Sequence, residues 1–178
     1  MKNYRFLVFG GICSGKTHFT NQLQERLNIP VYHLDDLFWY GNWENIGKEK
    51  LLQECRQIAE QEPNWIIEGN YKVVREALWQ DATHVFFCDA SFPTIVLRTW
   101  KRSMSKDRHG VPQKVREACD SREHFWELIQ HVWKYRRTKR KAELAFCEEI
   151  RAKGANVQIV RTDKDDLKNV LHGIKPLE

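Results

Sequence analysis

The chemistry of this chain is concentrated near its start, where Gly10-Gly11-Ile12-Cys13-Ser14-Gly15-Lys16-Thr17 fits the pattern G-x-x-x-x-G-K-[ST]. The run follows the apolar stretch FLVF and leads into a polar segment of helical character. Glycines let the backbone turn tightly and approach a ligand closely, so successive N–H groups of the loop face phosphate oxygens. A helix beginning there adds the positive end of its dipole. Lys16 then reaches the outer phosphates of a nucleotide, and the Thr17 hydroxyl ligates Mg²⁺. Chance occurrence of the pattern in a chain of this length is below about one in a hundred. Cys13, inside the loop, reads as a small filler rather than a nucleophile.

Two other stretches end apolar runs in carboxylates. His33-Leu34-Asp35-Asp36-Leu37-Phe38-Trp39 closes a short strand-like run. A carboxylate at the C-terminal edge of a strand faces the ligand crevice of an open α/β sheet. Asp35 there holds Mg²⁺ through water or takes a proton from an acceptor hydroxyl. Helix capping is the plainer alternative, and the better one for Asp36. Trp39 and Trp43 either stack on a planar acceptor or belong to the core. The second stretch is Trp65-Ile66-Ile67-Glu68-Gly69-Asn70-Tyr71. Glu68 stands where a Walker B carboxylate orders metal-bound water. Gly69 and Asn70 offer backbone N–H groups to the acceptor or its phosphate, and Tyr71 converges on the same pocket. Arg75, one turn into the next helical pattern, either binds the acceptor's anionic group or is a solvated helix charge.

These groups need elements to position them. Short β-rich runs at residues 5–9, 31–34, 65–67, 84–88 and 157–161 lack clear polar alternation. Strands apolar on both faces belong to a parallel sheet covered by helices. Helical patterns fill residues 16–26, 48–61, 73–79, 93–105, 122–153 and 163–172. Asp120 to Glu123 and Thr162 to Asp165 resemble capping boxes, and Gly154 reads as a helix stop. The alternation predicts one doubly wound α/β domain over residues 1–178, with a polar, mobile insert at 105–120.

Composition agrees. The chain has 178 residues, 42% hydrophobic and 30% charged, the balance of a globular domain. No run of about 18 apolar residues predicts a membrane span, so a cytoplasmic protein with no membrane partner is expected. Cys13, Cys55, Cys88, Cys119 and Cys147 are odd in number and form no C-x-x-C pair, which fits free thiols. His84, His109, His124 and His131 show no metal spacing. The net charge of +5 is concentrated in residues 98–141, implying an anionic ligand: nucleotide phosphates or nucleic acid. Nothing in the sequence selects between a monomer and a dimer.

A phosphate loop alone does not separate a kinase from a GTPase or a motor. The N-K-x-D motif that reads guanine is absent, and the length leaves no room for motor modules. Taken together, GGICSGKT, HLDDLFW, WIIEGNY, the pair Arg98 and Arg102, and HVWKYRR resemble the small adenylate kinase-like proteins of the DNA topology modulation (FlaR-type) family. The resemblance runs in order over most of the chain. One departure is Glu68, where that family typically carries Asp.

The resemblance implies a P-loop NTPase of nucleoside monophosphate kinase-like fold. It would be a three-layer α/β/α arrangement with a five-stranded parallel sheet in the order 2-3-1-4-5 and an arginine-rich helical lid. It places an acceptor-binding region at about 35–62 and the lid at about 103–140. Carried over, Arg98 covers the adenine and Arg102 binds phosphates. Arg137 and Arg140, taken from Arg136, Arg137 and Arg140, act on the transferring phosphoryl group. Thr162 lies where such folds touch adenine, or caps the last helix. The expected function is Mg²⁺-dependent transfer of the γ-phosphoryl group of ATP to a nucleotide or other small acceptor. The alternative is a nucleotide-binding regulator of DNA topology with weak or no kinase activity, although no nucleic-acid recognition motif is readable.

Overall fold

The computed structural model of the chain describes residues 3–40, 44–104, 123–164 and 166–174. Trp43, Cys119, the start of the Asp120 capping box and the polar insert therefore lie outside the described residues, as does most of the segment between residues 103 and 122.

In chain order the elements are β1 (Arg5–Gly10), α1 (Lys16–Leu27), β2 (Val31–His33), α2 (Leu34–Phe38), β3 (Trp39–Tyr40), β4 (Glu44–Asn45), α3 (Lys48–Gln61) and β5 (Trp65–Glu68). They continue with α4 (Lys72–Leu78), β6 (His84–Asp89), α5 (Phe92–Met104), α6 (Glu123–Arg137), α7 (Lys139–Ala152), β7 (Val157–Arg161) and α8 (Asp166–Gly173). The main sheet runs β2-β5-β1-β6-β7, every pairing parallel. Counting only its own strands, that is 2-3-1-4-5; the labels differ because a small antiparallel hairpin, β3-β4, intervenes. The hairpin and the short α2 were not among the expected elements, because each is too brief to establish a period.

The central strands β5, β1 and β6 are buried on both sides, so they are largely apolar. From β1, Leu7 and Phe9 face a core completed by Leu51 and Cys55 of α3, Val74 of α4 and Cys147 of α7. Phe6 and Val8 face the other way, onto Phe19, Leu23 and Leu27 of α1 and Ile174 beyond α8. Strand alternation thus sorts one short run between two helical layers. Among the described residues no helix is long and apolar enough to cross a membrane.

Two expected boundaries are corrected. The helix over 122–153 is two helices, broken at Thr138 (φ −115°, ψ −68°). Both the Thr138 N–H (3.1 Å) and its hydroxyl (2.7 Å) donate to the Lys134 carbonyl, closing α6. The corner falls inside the polar run RRTKRK, where no apolar residue is present to mark a change of period. The last helix spans Asp166–Gly173 and so starts later than 163. Asp163 instead accepts the Ser91 N–H at 2.7 Å and the Thr94 hydroxyl at 3.4 Å, serving the start of α5 from across the sheet. Gly154, at φ +94°, does follow the end of α7 as expected.

Candidate functional site

The five parallel strands end at one edge of the sheet, and the phosphate loop emerges from the central one, β1. Cys13 (φ 53°) and Gly15 (φ 90°) are left-handed, the backbone habit of an anion-binding nest. Gly15 is required there, because the chain must turn into α1 at positive φ against Thr162 and Arg98. Gly11 is required for a second reason: a β-carbon would overlap the ring of Tyr135 from α6. The Ser14 hydroxyl is buried without a hydrogen-bond partner among the described residues.

Lys16, at the start of α1, donates to the Gly11 carbonyl at 3.1 Å and lies 3.9 Å from Glu68 Oε1. Thr17 donates its hydroxyl to Glu68 Oε2 at 3.3 Å. Glu68 is only 7% exposed. Burial pushes its carboxyl up, but the hydrogen bond from His33, the Lys16 charge and the Thr17 hydroxyl outweigh that, and its pKa is lowered. His33 Nδ1 stands 2.8 Å from the same Oε2. That hydrogen bond raises the imidazole pKa despite partial burial. The Lys16, Thr17 and Glu68 expected from sequence are therefore brought together. A hydroxyl and an ionised carboxylate side by side are hard oxygen donors suited to Mg²⁺, which keeps waters and phosphate oxygens in its remaining positions. Among the described residues no group of three or more His, Cys, Asp or Glu side chains forms an all-protein metal cage.

Two residues beyond His33, Asp35 Oδ1 accepts the Tyr71 hydroxyl at 2.7 Å. Burial and the Asp35 carboxylate both push the Tyr71 pKa up. The Phe38 ring lies 4.9 Å from both Trp39 and Tyr71, building an aromatic wall beside Asp35. Asp35, Trp39 and Tyr71 are thus grouped, as expected of an acceptor pocket. Asp36 sits inside the first turn of α2, where His33 holds the cap position, so it is not the cap anticipated.

Other expected acceptor contacts are turned elsewhere. The Gly69 N–H donates to the Val8 carbonyl at 3.0 Å and so is already committed to β1. Arg75 points inward, 7% exposed, over the Phe9 and Phe146 rings. It donates to Asn70 Oδ1 at 3.0 Å and to Glu143 Oε1 at 3.5 Å. Glu143, 2% exposed, also accepts the Tyr135 hydroxyl. A polar chain thus links the loop after β5 to α6 and α7, and the Tyr135 ring packs on Gly11 of the phosphate loop.

On the opposite flank, Arg98 Nη1 donates to Thr162 Oγ1 at 2.9 Å and to the Cys13 carbonyl at 3.4 Å, while Nη2 donates to the Thr162 carbonyl at 2.8 Å. The Thr162 hydroxyl in turn donates a hydrogen bond to the Ser14 carbonyl. Arg98, Thr162 and the phosphate loop therefore meet. Arg102 follows one turn later on α5, half-buried. Of the arginines expected in a lid, Arg140 makes a paired contact with Asp89 at 3.2 and 2.7 Å, a bond that raises its pKa. Arg136 donates to the Ala90 carbonyl at 2.9 Å, and Arg137 stays exposed with its guanidinium 4.0 Å above the Trp133 ring.

Sequence reasoning missed His33, Asp89, Tyr135 and Glu143. Asp89 had a readable signal: it ends β6, 4% exposed, beside the Gly10–Cys88 pair, and strand-end carboxylates face the crevice. Arg75, which faces Glu143, comes from an element 68 positions away, and that pairing left no such mark.

No protein-family model and no curated protein sequence matches the chain. Solved structures do. A shikimate kinase from Bacteroides thetaiotaomicron is 15% identical, with 97% of this chain and 96% of that chain covered at a TM-score of 0.55. A shikimate kinase from Acinetobacter baumannii in complex with shikimate is 13% identical, with 96% and 90% covered at 0.54. An uncharacterized protein from Eubacterium ventriosum is 15% identical, with 96% and 94% covered at 0.53. At such identities the likeness is one of fold: this chain has the P-loop, nucleoside monophosphate kinase-like architecture shared by shikimate kinases.

Proposed function

We propose that this chain is an ATP-dependent phosphotransferase that moves the γ-phosphoryl group to a nucleotide or another small acceptor with Mg²⁺ as cofactor. The observation that carries this reading is the convergence of Lys16, Thr17 and Glu68 at the start of α1. Loop N–H groups and Lys16 would hold the phosphates, and Thr17 with Glu68 would hold the metal. When bound, Mg²⁺ supplies neutralisation of charge on the β and γ phosphates. Asp35 would orient an acceptor hydroxyl and take its proton, and Trp39, Trp43, Asn70 and Tyr71 would line the acceptor's pocket. Arg98 would cover the base, and Arg102, Arg137 and Arg140 would meet developing phosphoryl charge.

The same reading makes residues 1–178 one kinase-like domain in the cytoplasm, with an acceptor region at 35–62 and a lid at 103–140. The HLDDLFW and WIIEGNY motifs support the closer likeness to FlaR-type proteins. The kinase reading is preferred to a DNA-topology regulator because no nucleic-acid recognition motif is readable in the sequence.

ADP formation from ATP over a panel of nucleoside monophosphates and small hydroxylated metabolites tests the proposal. At least one acceptor should raise turnover above bare hydrolysis. A panel with no such acceptor, together with salt-sensitive DNA binding lost on reversing Arg136 and Arg140, would favour the regulator instead.

A further inference from the structure

His33 has no part in the phosphate-loop pattern, yet its position is tightly specified. In the parallel pairing of β2 with β5, His33 is the register partner of Glu68, and both residues end their strands at the crevice. A glutamate carboxylate swings on three side-chain torsions, and ordering it takes contacts that outweigh the lost rotamer freedom. Here Glu68 Oε2 receives two of them, from His33 at 2.8 Å and from Thr17 at 3.3 Å, while Oε1 looks toward Lys16 at 3.9 Å. A carboxylate accepts only, so the imidazole carries its proton on Nδ1. The histidine is anchored in turn, because its backbone is extended (φ −82°, ψ 115°) and holds the cap position of α2.

Resting on the Mg²⁺-nucleotide reading above, we propose that His33 is a positioning residue: its Nδ1–H fixes the Glu68 carboxylate against the Thr17 hydroxyl, so that the pair presents one prepared edge to the metal of a bound metal–nucleotide complex. His33 touches neither phosphate nor acceptor in this role. It acts through Glu68, as outer partners commonly orient metal-binding side chains. The strand pairing that aligns Glu68 for metal also sets Asp35, two residues past His33, at the acceptor side. One short β2 end therefore serves both halves of the crevice.

The test is ADP binding by calorimetry, with and without Mg²⁺, in the full chain and three variants. Wild type should bind ADP more tightly when Mg²⁺ is present. His33→Ala should lose roughly 10-fold or more of that metal-dependent gain while keeping metal-free ADP affinity within about twofold. His33→Asn, whose amide nitrogen sits at the same bond separation from Cβ as Nδ1, should restore most of the gain. His33→Gln, which places its nitrogen one bond farther out, should not. Should His33→Ala fail to show a cooperative melt, the Asn and Gln variants decide the matter between them. A full metal-dependent gain in His33→Ala or His33→Gln, or no rescue by His33→Asn, would overturn the proposal. Wild type that binds no ADP under either condition overturns the nucleotide-site reading itself, a failure visible before any variant is made.

Discussion

At the scale of single residues, Lys16 and Asp35 separate the two halves of the proposed reaction. Lys16 Nζ rests on the Gly11 carbonyl at 3.1 Å, within the loop that would receive phosphate. Lys16→Ala should reduce ADP formation at least about 100-fold, the scale of losing one preorganised charge-stabilising donor. Asp35 lies on the other side, bonded to Tyr71. Asp35→Asn should lower acceptor-dependent turnover by about 10²- to 10⁴-fold while leaving bare ATP hydrolysis nearly unchanged, as ADP release with and without acceptor will read. Equal loss of both rates would place Asp35 with the metal rather than the acceptor. Lys16, Thr17 and Glu68 were legible from sequence because their roles follow from local pattern. Arg75 was not: its inward turn depends on Glu143, 68 positions away.

At the scale of elements, the α6–α7 corner and the start of α5 are held by buried charge. Glu143 and Arg75 are both nearly inaccessible, and breaking such a pair strands the partner's charge. Glu143→Ala should destabilise the fold by about 3–5 kcal/mol, whereas joint replacement of Arg75 and Glu143 by Met and Leu should recover most of it. Urea midpoints of wild type and the two variants check this. Asp163 supplies a pH signature. Burial pushes its carboxyl up, but the Ser91 N–H and hydroxyl and the Arg161 charge prevail, so its pKa falls from an ordinary 3.8 to about 2. A depressed folded value means that the ionised group stabilises the fold above the unfolded pKa. That contribution is lost as pH drops from 3.8 toward 2. Stability measured against pH should therefore fall more steeply through this window in wild type than in Asp163→Asn. Equal slopes would show that the Asp163 contacts to α5 carry no stability.

At the scale of the whole molecule, ligand and fold are coupled by mass action. ADP with Mg²⁺ at about 100 times its dissociation constant adds roughly 2.7 kcal/mol to stability. For a chain of this size that is a rise of about 5–10 °C in melting temperature, which Lys16→Ala should abolish in a thermal-shift measurement. The sequence by itself determined the phosphate loop, the five apolar runs that became strands and the carboxylates at two of their ends. Each of these is a local signal: a glycine pattern, a run buried on both faces, or a polar residue where such a run stops. Only the tertiary structure decided which of these groups meet. Thr17 reaches Glu68 across 51 positions, His33 reaches it across 35, and Arg98 reaches Thr162 across 64. Those meetings are set by the lateral order of strands β2, β5, β1, β6 and β7. Strand order arises from packing two helical layers onto one sheet, and no single segment of sequence carries that information.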